Sequence, residues 1–157
     1  MNKSNEIGVK DGKYHLTQEE KDLANFSKLW HYNQWGGMTG GTDIGCSYDA
    51  HMTRNGKTYV IELKDREVPH DRYPTAFIEF DKYADLLQEA YFNGHTAWYI
   101  CFYTDGKAIV WNLCQERNRP QKTKKNNAKN KGYGTTETNW CYELSTENGY
   151  VYTYDGK

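Results

Sequence analysis

The sequence predicts an α/β or α+β domain built around a mixed sheet. Three observations predict it. Apolar residues recur at helical spacing in two separate stretches, one around 23–30 and one around 83–91. The pair Asn55-Gly56 sits between two alternating segments, where it marks a two-residue hairpin. The apolar run Ala97–Tyr103 reads as a central strand buried on both faces. With 157 residues and 15% aromatics, the chain has enough apolar volume for one domain with its own core.

The elements follow in order. Residues 1–16 show little periodicity and read as an N-terminal arm, with residues 17–157 as the single domain. Thr17-Gln18-Glu19-Glu20 is a capping box, in which Thr17 caps the helix and Glu20 returns to its backbone. Leu23, Phe26, Leu29 and Trp30 then predict a helix over about 18–32. Residues 33–42 are glycine-rich and read as a loop or an irregular strand. Residues 44–53 alternate as a strand, Asn55-Gly56 turns the chain, and residues 58–65 return. Residues 66–74 form a loop that contains Pro69 and ends at Pro74.

A second helix is expected over about 77–93, with Tyr83, Leu86, Leu87, Ala90 and Tyr91 as its buried stripe and Gly94 as its stop. Strands over 97–103 and 108–113 come next, then a basic loop at 115–132. Residues 139–144 and 150–154, joined through Glu147-Asn148-Gly149, read as a final hairpin.

Several classes are excluded. The longest apolar run is too short to span a bilayer. The first residues lack the apolar core of a secretory signal, so a cytoplasmic location is expected. Cys46, Cys101, Cys114 and Cys141 lie far apart without the short spacing of a zinc site, and read as reduced thiols. Net charge is −1, yet residues 115–132 carry Arg117, Arg119, Lys122, Lys124, Lys125, Lys129 and Lys131 against Glu116 alone. An acidic body with a basic segment suggests a polyanionic partner.

The hairpin carries the chemistry. If Arg54 pairs with Lys57, the same register sets Asp49 opposite Glu62 and Ser47 opposite Lys64. Two carboxylates opposed in a ladder repel. Beside a cation they make a seat for Mg²⁺ or Mn²⁺, which relieves the repulsion by coordination. A metal held there polarises a phosphate, and a nearby ammonium orients the attacking water.

These residues resemble a known family. Asp49, twelve intervening residues, then Glu62-Leu63-Lys64, within YDAHMTRNGKTYVIELKDRE, is similar to the core motif of the PD-(D/E)XK nuclease superfamily. The hairpin spacing resembles that of Holliday-junction-resolvase-like nucleases, and the stretch RYPTAFIEFDKY resembles phage and bacterial members. The likeness covers roughly residues 17–113, and Tyr48 stands where the motif has proline. It implies a restriction-endonuclease-like αβββαβ core. It implies Asp49, Glu62 and Leu63 at a Mg²⁺ ion, for which Mn²⁺ substitutes, and Lys64 assisting the water. It implies DNA as partner, structure-specific cleavage ahead of sequence-specific cleavage, and a homodimer as one compatible assembly.

Accessory positions are open. Glu20, or Glu19, is the acidic candidate on the first helix, although the capping box also explains Glu20. Glu79 and Lys82, with Gln88 behind them, are candidates on the second helix, although a solvated face explains all three. His51 shares the face of Asp49, while His70 and His95 carry no assigned role. Asp43 is a metal ligand only in a different register. Trp30, Tyr32 and Trp35 are candidates for base stacking. The alternative function is a catalytically inactive nuclease fold kept as a nucleic-acid-binding or protein-interaction module from a mobile element.

Overall fold

The computed structural model describes residues 9–10, 13–14, 16–35, 48–120, 122–130 and 135–156. Strands β1 (Val9–Lys10) and β2 (Lys13–Tyr14) precede helix α1 (Gln18–Tyr32). The hairpin is β3 (Ala50–Arg54) and β4 (Lys57–Asp65). Strand β5 (Thr75–Glu79) runs directly into α2 (Phe80–Asn93), followed by β6 (Thr96–Phe102) and β7 (Lys107–Asn112). A 3-10 turn at Glu116–Asn118 leads to β8 (Thr123–Asn130), β9 (Thr135–Ser145), a second 3-10 turn (Thr146–Asn148) and β10 (Tyr150–Thr153). Part of the glycine-rich segment, Asp43, residues 44–47 and Lys131 lie outside the described residues.

Among the described residues, a five-stranded sheet runs β10-β7-β6-β4-β3, and a three-stranded sheet runs β5-β9-β8. Strands β4 and β6 are parallel and the other pairs of the large sheet are antiparallel, so the expected mixed sheet is present. Its two faces carry separate cores. Ile61 and Leu63 of β4 pack with Phe26 and Leu29 of α1. Val60 packs the other way, with Leu86 and Ala90 of α2 and with Ala76, Ile78 and Leu144 of the small sheet. No helix among the described residues is long and apolar enough to cross a membrane.

Local chemistry accounts for the boundaries that match. The Thr17 hydroxyl accepts from the Glu20 N–H at 3.2 Å, and the Glu20 carboxylate accepts from the Thr17 N–H at 3.4 Å, which starts α1 where the capping box puts it. Gly94 adopts φ 68° and stops α2. Asn55 and Gly56 adopt φ 51° and 76°, as a type I′ turn requires, and Arg54 pairs with Lys57.

Four expectations are corrected. Residues 75–79 belong to β5, and α2 begins at Phe80. Ala76 and Ile78 are buried while Thr75, Phe77 and Glu79 are half-buried, which is a period of two, and β9 supplies the partner strand. Tyr91 lies off the buried stripe and is 83% exposed, because Leu86 and Ala90 already fill the contact with the sheet.

Residues 123–130, read as part of a loop, form a strand paired to β9. A lysine-rich strand suits this place, since β8 is the edge of its sheet and its charges discourage further pairing. Finally, β9 and β10 do not form a hairpin. β9 pairs with β5 and β8, whereas β10 pairs with β7 in the other sheet.

The crossing between sheets depends on Gly149. A Cβ there would lie 2.4 Å from Ile109 Cγ2 and 3.1 Å from the Trp111 ring, both on side chains with almost no exposure. The Trp111 indole also donates to Ser145 O at 2.8 Å, just before the crossing. Gly149→Ala is expected to destabilise the fold by about 1–3 kcal/mol through overpacking. Urea denaturation should show a lower midpoint at an unchanged slope.

Candidate active site

The alternation of β4 sets the site. Val60 faces the α2 core and Ile61 and Leu63 face the α1 core, so Glu62 and Lys64 share the Val60 side. Glu62 is 5% exposed, whereas Lys64, two residues on, reaches solvent. The ladder of β3 and β4 ends at the pair Ala50–Ile61. Just beyond it, the Asp49 N–H donates to Ile61 O at 3.0 Å. The Asp49 carboxylate accepts from the Leu63 N–H at 2.9 Å. That N–H belongs to the peptide joining Glu62 to Leu63, so the backbone itself draws the Asp49 carboxylate up to Glu62.

The second helix contributes a cation. Lys82, in the first turn of α2, places Nζ 3.8 Å from Glu62 Oε2, and the two side chains are 17% and 6% exposed. The ion pair offsets part of the cost of desolvating the carboxylate. Glu79 is the N-cap of α2 but makes no capping hydrogen bond with its side chain. It pairs across β5 and β9 with Cys141. Burial pushes the Cys141 thiol up, Glu79 and Asp81 add to this, and Arg66 and Lys64 oppose it.

Arg66 extends the period-two series of Glu62 and Lys64, and the sequence reading assigned it nothing. Its Nη2 donates to Phe77 O at 2.8 Å and to the Tyr99 hydroxyl at 2.9 Å. The Tyr99 hydroxyl donates to the same carbonyl at 2.7 Å. Burial pushes the Tyr99 phenol well above its usual range, and it keeps its proton as a donor. The three groups tie the end of β4 and the middle of β6 to β5, the strand that launches α2 and so aims Lys82. The signal in the sequence was the continuation of Glu62-x-Lys64-x-Arg66.

The remaining candidates are dispersed. Glu20 sits in the capping box at the start of α1, the helix that covers the opposite face of the sheet. Glu19 is its half-buried neighbour, and the buried carboxylate of that helix is Asp22, which accepts from Gln18 Nε2 at 2.8 Å. Gln88 is exposed on α2. The His51 ring meets Tyr48 edge-on at 6.5 Å. Trp35 is buried against Trp98 and Tyr152, a core role, and Trp30 stacks on His31. Tyr32 is exposed.

Arg117, Arg119 and Lys122 line a cavity of about 470 Å³ shared with Glu143 and Glu147. Lys124 and Lys125 lie on β8, and the side chains of Lys129 and Lys131 are outside the described residues.

Among the described residues, the group of three metal-capable side chains is elsewhere. His70, Asp71 and Asp105 bring their ligand atoms within 4.8 Å of one another. His70 Nδ1 lies 2.5 Å from Asp105 Oδ2 and pins the 66–74 loop to the turn between β6 and β7. Burial raises the Asp105 carboxyl, but hydrogen bonds from the His70 ring and backbone outweigh it and hold the group below its usual range. A carboxyl so depressed adds stability that is complete above its unfolded pKa, about 3.9, and is lost as pH falls through the folded value. Asp105→Asn is expected to remove that part of the acid limb. Melting temperatures followed from pH 6 down to pH 2 should fall less steeply in the variant.

No protein-family model and no curated protein sequence matches the chain. Among solved structures, the chain is similar in fold to Hjc, a Holliday junction resolvase from the archaeal hyperthermophile Archaeoglobus fulgidus. The TM-score is 0.52 at 14% identity, over 83% of this chain and 90% of that one. The likeness is one of fold: a mixed sheet flanked by helices, as in that resolvase.

Proposed function

We propose that the chain is a divalent-metal-dependent endonuclease that hydrolyses phosphodiester bonds in DNA, with branched or flapped DNA as its substrate class. One observation carries the reading: the Asp49 carboxylate is bonded to the peptide that follows Glu62, and Lys64 comes next on the Glu62 side of β4. The likeness in fold to a protein named as a Holliday junction resolvase supports it.

The donor set suits Mg²⁺, with Mn²⁺ as substitute, because two carboxylates and the Leu63 carbonyl are hard oxygen ligands. Bound there, such an ion polarises the scissile phosphate and lowers the pKa of a coordinated water. Asp49 and Glu62 hold the ion in this reading. Lys64 reaches solvent from the same side and orients the attacking water through its ammonium. Lys82 offsets the charge of Glu62 and, with Lys64, stabilises negative charge developing on the phosphoryl oxygens. Glu79, the N-cap residue of α2, is an accessory candidate, and Glu20 serves the helix cap. Arg117, Arg119, Lys122, Lys124, Lys125, Lys129 and Lys131 supply sequence-independent phosphate contacts, and a second copy of the chain would allow paired cuts.

The test is a cleavage panel of supercoiled plasmid, single-stranded circle, flap, four-way junction and RNA hairpin, with Mg²⁺, Mn²⁺ or EDTA. The expected result is metal-dependent cutting of the flap or junction. Binding without cutting on every substrate would contradict it and favour the inactive-module reading.

A further inference from the structure

The small sheet carries a row of aromatic rings that the cleavage chemistry does not use. Tyr83 meets Tyr142 edge-on at 5.0 Å, and Tyr142 stacks on Phe80 at 4.2 Å and 23°. Phe80 in turn lies 6.3 Å from Trp140, near-parallel at 30°. The row begins half-buried and ends at the surface, where Trp140 is 48% exposed. One cation from the edge strand borders it. Lys125, directly across the ladder from Trp140, holds Nζ 5.1 Å from its ring. Its neighbour Lys124 pairs with Cys141 and lies on the other face of the small sheet, with Nζ 4.3 Å from the Phe77 ring.

The row adjoins the site through α2. Phe80 and Tyr83 face β9, and Lys82, between them in the same turn, reaches Glu62. A strand of nucleic acid resting on Trp140 would therefore lie against the first turn of α2, which also carries Lys82.

We infer that Trp140 is a stacking platform for a single-stranded segment of DNA, with Lys125 as its phosphate contact. The inference rests on the nuclease reading and deepens it by naming the part of the substrate this sheet would grip. An exposed indole offers a π-face to any base, which makes the contact tolerant of sequence. Lys125 now covers that face. A base settling on the indole displaces the ammonium, which is then free for the adjacent phosphate. Charge favours this occupant, because the edge strand is lysine-rich while the chain as a whole is slightly acidic. The other exposed aromatic pair, Tyr91 and Phe92 at the end of α2, has no cation over either ring among the described residues.

The experiment measures binding of labelled oligothymidylate and of a blunt duplex, in EDTA, by fluorescence anisotropy. Trp140→Leu should weaken the single strand on the order of tenfold and leave the duplex within about twofold. Trp140→Phe should retain most single-strand binding, since it keeps a ring. Lys125→Gln should flatten the salt dependence by about 0.7 in slope. Wild-type single-strand affinity in Trp140→Leu, an equal loss on both ligands, or no oligothymidylate binding by the wild type would each overturn the platform. Junction cleavage with Mg²⁺ by the wild type is read in parallel. Cleavage without any Trp140 effect sinks the platform alone, and a Trp140 effect without cleavage sinks the nuclease reading alone.

Discussion

Lys64→Ala is expected to bind DNA about as well as the wild type and to cut it on the order of 10²–10⁴-fold more slowly. Lys64 reaches solvent at the end of β4, so removing its side chain opens no cavity and breaks no core contact. In the proposed reading, what the variant loses is the ammonium that orients the attacking water. Single-turnover cleavage separates this from weaker binding, because a lost positioning charge lowers the chemical rate at saturating enzyme. An unchanged rate would remove Lys64 from the chemistry.

Lys82→Ala has the second large effect, and it falls on stability. The substitution leaves the Glu62 carboxylate buried without the Lys82 ammonium. Breaking a fully buried pair costs about 3–5 kcal/mol. Here the 3.8 Å separation and the partial exposure of Lys82 reduce the expectation to about 1–3 kcal/mol. The loss should depend on metal. If Glu62 is a ligand, added Mg²⁺ replaces the missing cation and stabilises the variant by mass action. Thermal melts of Lys82→Ala and wild type in EDTA and in Mg²⁺ should converge as metal is added. A gap that Mg²⁺ leaves unchanged would argue that Glu62 does not bind it.

The elements legible in the sequence are those decided by neighbouring residues. The capping box starts α1 at Gln18, and Asn55-Gly56 sets the ladder from Arg54–Lys57 to Ala50–Ile61, which ends before the expected Asp49–Glu62 pair; the Asp49 N–H bonds to Ile61 O instead. The elements misread depend on distant partners. Residues 77–79 look helical because Phe77 and Ile78 continue an apolar pattern, yet β9 captures them. TKKNNAKN has weak strand propensity, and its strand exists because β9 offers an edge. The final pair of strands looks like a hairpin, but Gly149 passes against Ile109 and Trp111 from one sheet to the other.

The candidate site divides in the same way. The proposed positions Asp49, Glu62 and Lys64 lie in or next to one local hairpin. The ion pair of Lys82 with Glu62, and the bonding of Arg66 and Tyr99 to Phe77 O, need the packing of α2 and β5 against the sheet.

Two places compete for a divalent ion: the Asp49–Glu62 pair on the hairpin and the His70, Asp71 and Asp105 group at the loop. Titration of Mn²⁺ into the wild type, Asp49→Asn and Asp105→Asn, read by calorimetry or by electron paramagnetic resonance, separates them. The account predicts binding that Asp49→Asn abolishes and Asp105→Asn leaves intact. Binding that survives in Asp49→Asn and disappears in Asp105→Asn would contradict it.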